Sequence, residues 1–256
     1  METTAALRRI AAFEDRFARV QATEIVELGW GHVLLQHDYP ASWHHNRVIV
    51  TGAVEPATVI ATADKVLGDN GHRHRLVNFT DGPQGAAAAA AFEAAGYEAE
   101  RIVTMIHSGD LPARVRGPVE ALSFDELRSS LLEDWKADYP DDSDESNAQL
   151  ADRVRLYSLG ADVTFLGVRD ASGEVVAHGE LYVSDGLAQF ENIITRPEHR
   201  GKGYAKGMVI EALHRARDAG CDLSFLTAEA TNWPRAWYRR IGYRDAVEVH
   251  HFQRTP

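Results

Sequence analysis

The chain has 256 residues, of which 45% are hydrophobic and 25% charged, and its formal net charge at pH 7 is -11. This composition is typical of a globular protein that buries a core, and the acidity argues against a general nucleic-acid binder, which needs a basic surface. No segment approaches the ~20 apolar residues of a membrane span. The charged N-terminus has no signal-peptide core, so we expect a cytoplasmic protein with neither a nucleic-acid nor a membrane partner.

The first half of the chain predicts helices and strands in alternation. Residues 3–20 carry Leu7, Ile10, Phe13 and Phe17 on one stripe, which is the spacing of an amphipathic helix. A proline opens the second predicted helix and glycines close it. The predicted helices are 3–20, 56–68 and 85–95, the predicted strands are 29–39, 47–51, 74–80 and 97–106, and a turn is predicted at 81–83.

The second half begins as a new unit after a connector over residues 114–118. Ser123 and Glu126 form a capping-box pattern, which predicts the start of a helix. We therefore expect two domains, 1–117 and 118–256, and interpret the acidic segment 133–145 of the second as a solvated loop or a helix junction. Its predicted strands are 119–122, 162–169, 174–184, 188–195, 223–229 and one after residue 243, and its predicted helices are 124–135, 147–158, one after residue 203, and 233–241.

A glycine-bearing turn between a strand and a helix is the segment most indicative of chemistry. The strand ends near Thr195, the turn contains Gly201 and Gly203, and a helix with one apolar face follows. Such a turn offers free backbone N–H groups and the positive end of a helix dipole to an anion. Arg200, Lys202 and Lys206 add positive charge, although an ordinary glycine-containing helix cap has the same pattern. The spacing fits neither a P-loop nor a dinucleotide-binding turn.

Two motifs in this region resemble the GCN5-related N-acetyltransferase (GNAT) family. The run Arg200-Gly201-Lys202-Gly203-Tyr204-Ala205 matches the family's acyl-CoA signature, Arg/Gln-x-x-Gly-x-Gly/Ala. Further on, Tyr238-Arg239-Arg240-Ile241-Gly242-Tyr243 is similar to the family's Tyr-x-x-x-Gly-Phe/Tyr ending. The resemblance covers about residues 118–256. It implies an α/β (α+β) GNAT fold, in which helices flank a mixed, mostly antiparallel sheet.

The resemblance also implies a cofactor site for acetyl-CoA. The strand backbone at Ile193, Ile194 and Thr195 would bind the pantetheine arm, although Thr195 replaces the family's usual apolar residue. Arg200 and the turn residues Gly201, Lys202, Gly203, Tyr204, Ala205 and Lys206 would hold the pyrophosphate. Asn232 is a further candidate contact, one position away from the family's asparagine. Either Thr231 or Asn232 could instead cap the following helix.

Two side chains are candidates for the proton transfers of acyl transfer. Tyr238 matches the family's tyrosine that protonates the departing thiolate. Glu191 is our candidate base, because alternation along the strand places it on one face with Ile193 and Thr195. Gln189 occupies the position where many family members have a glutamate, and Glu229 is a second candidate base. Glu191 could instead orient the substrate or pair with an arginine.

The end of the first half resembles the end of the second at an offset of 146 residues. Phe92 and Tyr97 align with Tyr238 and Tyr243. Phenylalanine cannot donate a proton, and residues 51–56 contain no Gly-x-Gly turn. We therefore expect a degenerate, smaller GNAT-like first half that covers the second and helps shape the acceptor site, although helix-stop-strand patterns of this kind are common.

These motifs predict direct transfer of an acyl group, most simply acetyl, from acetyl-CoA to a primary amine of a small molecule or peptide. Direct transfer is expected because the only cysteine, Cys221, has no evident histidine partner. The twelve histidines lack a metal-ligand spacing, so we expect no metal. The alternative function is a non-catalytic acyl-CoA sensor, which would not need Tyr238 or Glu191. The sequence leaves the acceptor and the oligomeric state open.

Overall fold

One eleven-stranded sheet runs through both halves of the chain in the computed structural model, which describes residues 3–114 and 117–255. Short 3-10 helices lie at Trp43–His45, Arg153–Leu159 and Pro197–His199. The α-helices are α1 Thr3–Val20, α2 Pro56–Asp69, α3 Gly82–Ala94, α4 Phe124–Asp138, α5 Asp144–Asp152, α6 Tyr204–Asp218 and α7 Trp233–Arg239. The strands are β1 Glu24–Leu28, β2 Gly31–Leu35, β3 Arg47–Val50, β4 Arg75–Phe79, β5 Glu98–His107, β6 Val119–Leu122, β7 Asp162–Arg169, β8 Val175–Ser184, β9 Leu187–Thr195, β10 Leu223–Glu229 and β11 Tyr243–Arg254.

The predicted fold class is confirmed. The pairs β3–β4 and β9–β10 are parallel, and the other neighbouring strands in the described residues pair antiparallel. Helices α2, α3 and α6 pack against one face of the sheet, while α1, α4 and α5 pack against the other. No helix in the described part of the chain is long and apolar enough to cross a membrane.

Several predicted elements have different bounds from those expected. The strand predicted at 29–39 is shorter in the structure, where β2 spans Gly31–Leu35. A turn at Gly29 and Trp30 joins it to β1, which the sequence did not predict. The turn predicted at 81–83 is the start of α3, where the Asp81 side chain accepts a hydrogen bond from the backbone N–H of Gln84. The acidic segment 133–145 is partly helical, since it includes the end of α4 and the start of α5. The predicted capping box of Ser123 and Glu126 is confirmed.

The last strand of each half is inserted into the other half of the sheet. The strand order is β1-β2-β3-β4-β11-β5-β10-β9-β8-β7-β6. Strand β11, from the second half, therefore lies between β4 and β5 of the first half, while β5 lies between β11 and β10. Each half thus supplies a strand on which the other half depends for its hydrogen bonds.

The two halves share the aromatic packing that the 146-residue offset predicts. In α3 the ring of Phe92 packs edge-on against Tyr97, with centroids 4.9 Å apart. In α7 the ring of Tyr238 packs edge-on against Tyr243 at 5.9 Å. The glycine before each second tyrosine has a left-handed backbone, with φ of 80° at Gly96 and 104° at Gly242. The expected boundary between residues 117 and 118 stays a prediction, and residues 115 and 116 of the predicted connector lie outside the described residues.

The exchange of strands predicts that residues 118–256 do not fold alone. Without β5, both β10 and β11 lose a partner, which exposes unpaired strand edges and favours aggregation. We expect the isolated fragment to be aggregated or to melt without cooperativity, as measured by size-exclusion chromatography and circular dichroism. Co-expression with residues 1–117 should restore a soluble complex. A monomeric fragment with a cooperative melt would contradict this account.

Candidate active site

The site is built where strands β9 and β10 separate. Residues Leu223–Phe225 of β10 pair with Leu187–Gln189 of β9, while the opposite edge of β10 pairs with β5 from Phe225 onward. Beyond Phe225 the backbone N–H of Thr227 has no backbone partner in β9. The Glu191 carboxylate takes that position, since Oε1 accepts a hydrogen bond from the Thr227 N–H at 2.8 Å and Oε2 accepts one from Thr227 Oγ1 at 3.1 Å.

A β-bulge in β9 directs the Glu191 side chain away from the residues that follow it. Glu191 pairs with Glu180 of β8, and Ile194 pairs with His178, so two residues of β9 oppose only Gly179. The bulge includes Asn192, whose backbone is left-handed with φ of 53°. The expectation that Glu191 shares a face with Ile193 and Thr195 is wrong, because this extra residue reverses the alternation.

Glu191 faces a cavity of about 660 Å³ on the α1 side of the sheet. Helix α1 covers it, and strands from both halves form its floor. From the second half, Tyr182, Gln189 and Thr227 line the cavity beside Glu191. The first half contributes, among others, Ile10, Glu14, Phe17, Leu34, His44, Arg47, Asn78, Ile102 and Thr104. The first half therefore forms much of the wall of this cavity.

The cavity holds two carboxyl groups that titrate near neutral pH. Burial raises the pKa of Glu191 to about 7, although the hydrogen bonds from Gln189 and Thr227 act to lower it. Burial also raises the pKa of Glu14 to about 7, with a further contribution from the charge of Glu191. The neighbouring Glu180 is buried, accepts hydrogen bonds from Tyr182 and Asn192, and adds negative charge near Glu191. Carboxyl groups with such pKa values exchange protons readily at neutral pH.

Tyr238 lies on α7 in the core beneath α6 and is 7% exposed. Burial raises the pKa of its phenol well above the ordinary value, and the charge of Glu191 raises it further. The phenol therefore keeps its proton at neutral pH and is suited to donate it.

The predicted phosphate-binding turn leads directly into α6. Gly201 and Gly203 have left-handed backbones, with φ of 78° and 84°, and no atom lies within 4 Å of a Cβ added at either. Glycine is therefore needed for the backbone conformation and not for close packing. Gly203 is the N-cap and has no side-chain cap, so the first N–H groups of α6 remain available to an anion. Arg200 donates from Nε to the backbone oxygen of Thr195 at 3.0 Å.

The remaining predicted cofactor residues fall into two places. Tyr204, Ala205 and Lys206 form the first turn of α6, and Lys202 lies 3.3 Å from the His199 ring. At the end of β9, Ile193 packs into the core beneath α6, Ile194 is 37% exposed, and the buried Thr195 Oγ1 has no hydrogen-bond partner among the described residues.

Two weaker candidates lie away from the cavity. Asn232 caps α7, because its Oδ1 accepts a hydrogen bond from the Trp233 N–H at 2.8 Å. Its Nδ2 donates to the Glu229 carboxylate at 2.8 Å. Glu229 is absent from the described lining of the cavity, so the geometry favours Glu191 over Glu229 as the base.

Sequence reasoning missed four charged residues that line the cavity, Glu14, Asp15, Arg47 and Arg153. Glu14 occupies a position of the apolar stripe of α1, between Ile10 and Phe17 at helical spacing. A charged residue at such a position is the signal that could have identified it. Arg47 begins β3, all four residues of which are buried. Among the described residues no group of three or more His, Cys, Asp or Glu side chains is arranged to hold a metal ion.

Comparison with known proteins gives one family and several similar folds. Residues 124–243 match the model of the acetyltransferase (GNAT) family. No curated protein matches the chain. A functionally unknown conserved protein from Staphylococcus epidermidis has a TM-score of 0.68 at 12% identity, over 92% of this chain and 95% of that one. A GCN5-related N-acetyltransferase from Kribbella flavida has a TM-score of 0.64 at 20% identity, over 98% and 96%.

A third solved structure is a tandem GNAT protein from the clavulanic acid biosynthesis pathway. Its TM-score is 0.57 at 15% identity, over 89% of this chain and 80% of that one. At these identities the three structures show that the fold is shared across nearly the whole chain.

The buried Glu191 carboxyl group predicts a pH-dependent loss of stability. Its pKa is about 7 in the folded protein and about 4.3 when unfolded. The folded state therefore binds more protons between these values, and stability falls as pH rises through this range. We expect Glu191→Gln to raise the free energy of unfolding at pH 8 by on the order of 2 kcal/mol and to change it little near pH 4.

Urea denaturation at both pH values measures this effect. Glu93→Gln, which replaces an exposed carboxylate on α3, is the matched control and should change stability little at either pH. Equal effects of Glu191→Gln at both pH values would contradict the burial of an ionisable group at this position.

Proposed function

Since residues 124–243 match the model of the acetyltransferase (GNAT) family, we propose that the protein transfers an acetyl group from acetyl-CoA directly to a primary amine of a small molecule or peptide. The observation that carries this proposal is the position of Glu191. Its carboxyl group, with a pKa of about 7, lies where β9 and β10 separate and faces a cavity of about 660 Å³. The phenol of Tyr238 lies in the core beneath α6 and keeps its proton at neutral pH.

The residues at the end of β9 and the start of α6 suit acetyl-CoA, which supplies the acyl group as a reactive thioester. The uncapped N–H groups at the start of α6 provide donors for the pyrophosphate. Arg200, Lys202 and Lys206 are exposed cations around the same turn. Thr195 Oγ1 and the strand backbone from Ile193 onward would hold the pantetheine arm.

Each residue has a defined part in the transfer. Glu191 accepts a proton from the amine, whose nitrogen then forms a bond to the thioester carbonyl carbon. The N–H groups of β9 stabilise the negative charge that develops on the carbonyl oxygen. Tyr238 donates its proton to the sulfur as the carbon–sulfur bond breaks, which releases the thiol form of CoA.

Direct transfer is favoured over a relay through cysteine. The chain has one thiol, Cys221, whose Sγ lies 3.5 Å from the backbone oxygen of Leu187. Burial raises the pKa of this thiol, which lowers the fraction present as thiolate. Cys221 is also not among the described residues that line the cavity.

We propose that the first half holds no second acetyl-CoA site and instead shapes the acceptor cavity. Its parallel pair β3–β4 corresponds to β9–β10, and α2 corresponds to α6. However, α2 begins at Pro56 after Glu55, without a glycine turn or a basic cluster. Phe92 replaces the proton donor Tyr238 in the equivalent helix.

Replacement of Tyr238 by phenylalanine tests the proposed proton donor. We expect Tyr238→Phe to lower kcat by about 10²-fold or more, the usual contribution of a general acid. The dissociation constant of acetyl-CoA should stay within about twofold, because the ring and its packing are retained. Turnover is measured as thiol release from acetyl-CoA with a panel of primary amines, and binding by calorimetry.

The matched control is Tyr97→Phe at the equivalent of Tyr243 in the first half. The Tyr97 hydroxyl is buried and has no hydrogen-bond partner among the described residues, so its removal should leave kcat unchanged. Full turnover by Tyr238→Phe would exclude the phenol as the proton donor. If the protein were instead a non-catalytic acyl-CoA sensor, neither variant would show turnover.

A further inference from the structure

Arg47 places a buried guanidinium at the end of the cavity formed by the first half. It is 7% exposed and lines the cavity. Its Nε has no hydrogen-bond partner, and its guanidinium forms no ion pair with any residue in the described ranges. Burial lowers the pKa of Arg47 to about 10, so the group remains charged at neutral pH. A buried, unpaired charge is costly, which indicates that a ligand supplies its partner.

A second buried polar group without a hydrogen-bond partner among the described residues lies at the same end of the cavity. Asn78 of β4 pairs with Ile49 of β3, two residues beyond Arg47, and with His251 of β11. The buried Asn78 Oδ1 also lacks a hydrogen-bond partner among the described residues. Burial and the nearby Arg47 lower the pKa of His251 to about 3, so this imidazole is neutral at pH 7. Arg47 therefore supplies positive charge at this end together with Arg153, which also lines the cavity, and the Asn78 oxygen can accept a hydrogen bond from a ligand N–H group.

The opposite end of the cavity carries the carboxyl group of Glu191. Strands β10, β5, β11 and β4 lie between β9 and β3, so Glu191 and Arg47 are separated by five strand spacings, or about 24 Å of backbone. Glu14 of α1 also lines the cavity, and its pKa is raised by the charge of Glu191 and lowered by that of Arg47. The cavity is thus elongated and has an acidic end and a basic end.

We propose that the acceptor is an elongated amino-carboxylate, with its primary amine at Glu191 and its carboxylate at Arg47. This inference rests on the proposed acetyl transfer and specifies its substrate class. An α-amino acid is too short, because one carbon separates its amine from its carboxylate. A polyamine would place a second cation against Arg47. An extended tripeptide spans about 10 Å, and the side chains of Glu191 and Arg47, which both line the cavity, together with one hydrogen-bond length at each end, cover the remaining separation.

The probes are triglycine and triglycinamide, which differ in the charge of one terminal group. We expect wild-type kcat/KM to favour triglycine by about 10- to 100-fold, the range for a charge-assisted hydrogen bond. Arg47→Met should abolish this preference mainly by raising KM for triglycine, with a smaller change in kcat. Arg47→Lys should keep part of it. Arg101→Met, which removes an exposed arginine paired with Glu248, is the matched control and should keep the whole preference.

Calorimetric binding of the same two probes makes the comparison independent of turnover. A wild-type protein that does not distinguish triglycine from its amide, or an Arg47→Met variant that retains the preference, would overturn the proposal. Titration of each variant with acetyl-CoA shows whether it is folded. If the wild-type protein does not bind acetyl-CoA, the proposed function is contradicted. This result differs from a lack of preference for triglycine, which contradicts only the proposed substrate class.

Discussion

The separation of β10 from β9 after three paired residues is the constraint on which the candidate site depends. Parallel strands that remained paired would satisfy the Thr227 N–H within the sheet and leave no room between them. Because they separate, this N–H is free to hold the Glu191 carboxylate at 2.8 Å. The bulge at Asn192 then sets the direction of the side chains on either side of it. The catalytic candidate is therefore positioned by the backbone of two strands.

The exchange of terminal strands holds β10 in the sheet where it separates from β9. Strand β5, from the first half, pairs with the opposite edge of β10 along its last five residues. Helix α1, also from the first half, covers the cavity that Glu191 faces. The first half therefore contributes both the sheet geometry and the cavity wall, even though it lacks a tyrosine at Phe92. A fold in two independent units would not couple the halves in this way.

Local features of the fold and the site followed from the sequence, whereas the long-range features did not. The cap at Ser123, the turn at Gly201 and Gly203, and the pairing of Tyr238 with Tyr243 each depend on residues close together in the chain. Strand β11 pairs with β5 across more than 130 residues, and no local pattern encodes that choice of partner. The bulge at Asn192 inserts one extra residue into β9. The prediction assumed that side chains alternate between the two faces of the strand without interruption, so it wrongly placed Ile193 and Thr195 on the same face as Glu191.

Calorimetric titration of the purified protein with acetyl-CoA tests the central claim most directly. The account predicts saturable binding with one site per chain, because the turn before α6 and the separated strands β9 and β10 occur once. Two sites would contradict the assignment of the first half to the acceptor cavity. Absence of binding at millimolar acetyl-CoA would contradict the acetyltransferase function and leave the turn before α6 as an ordinary helix start.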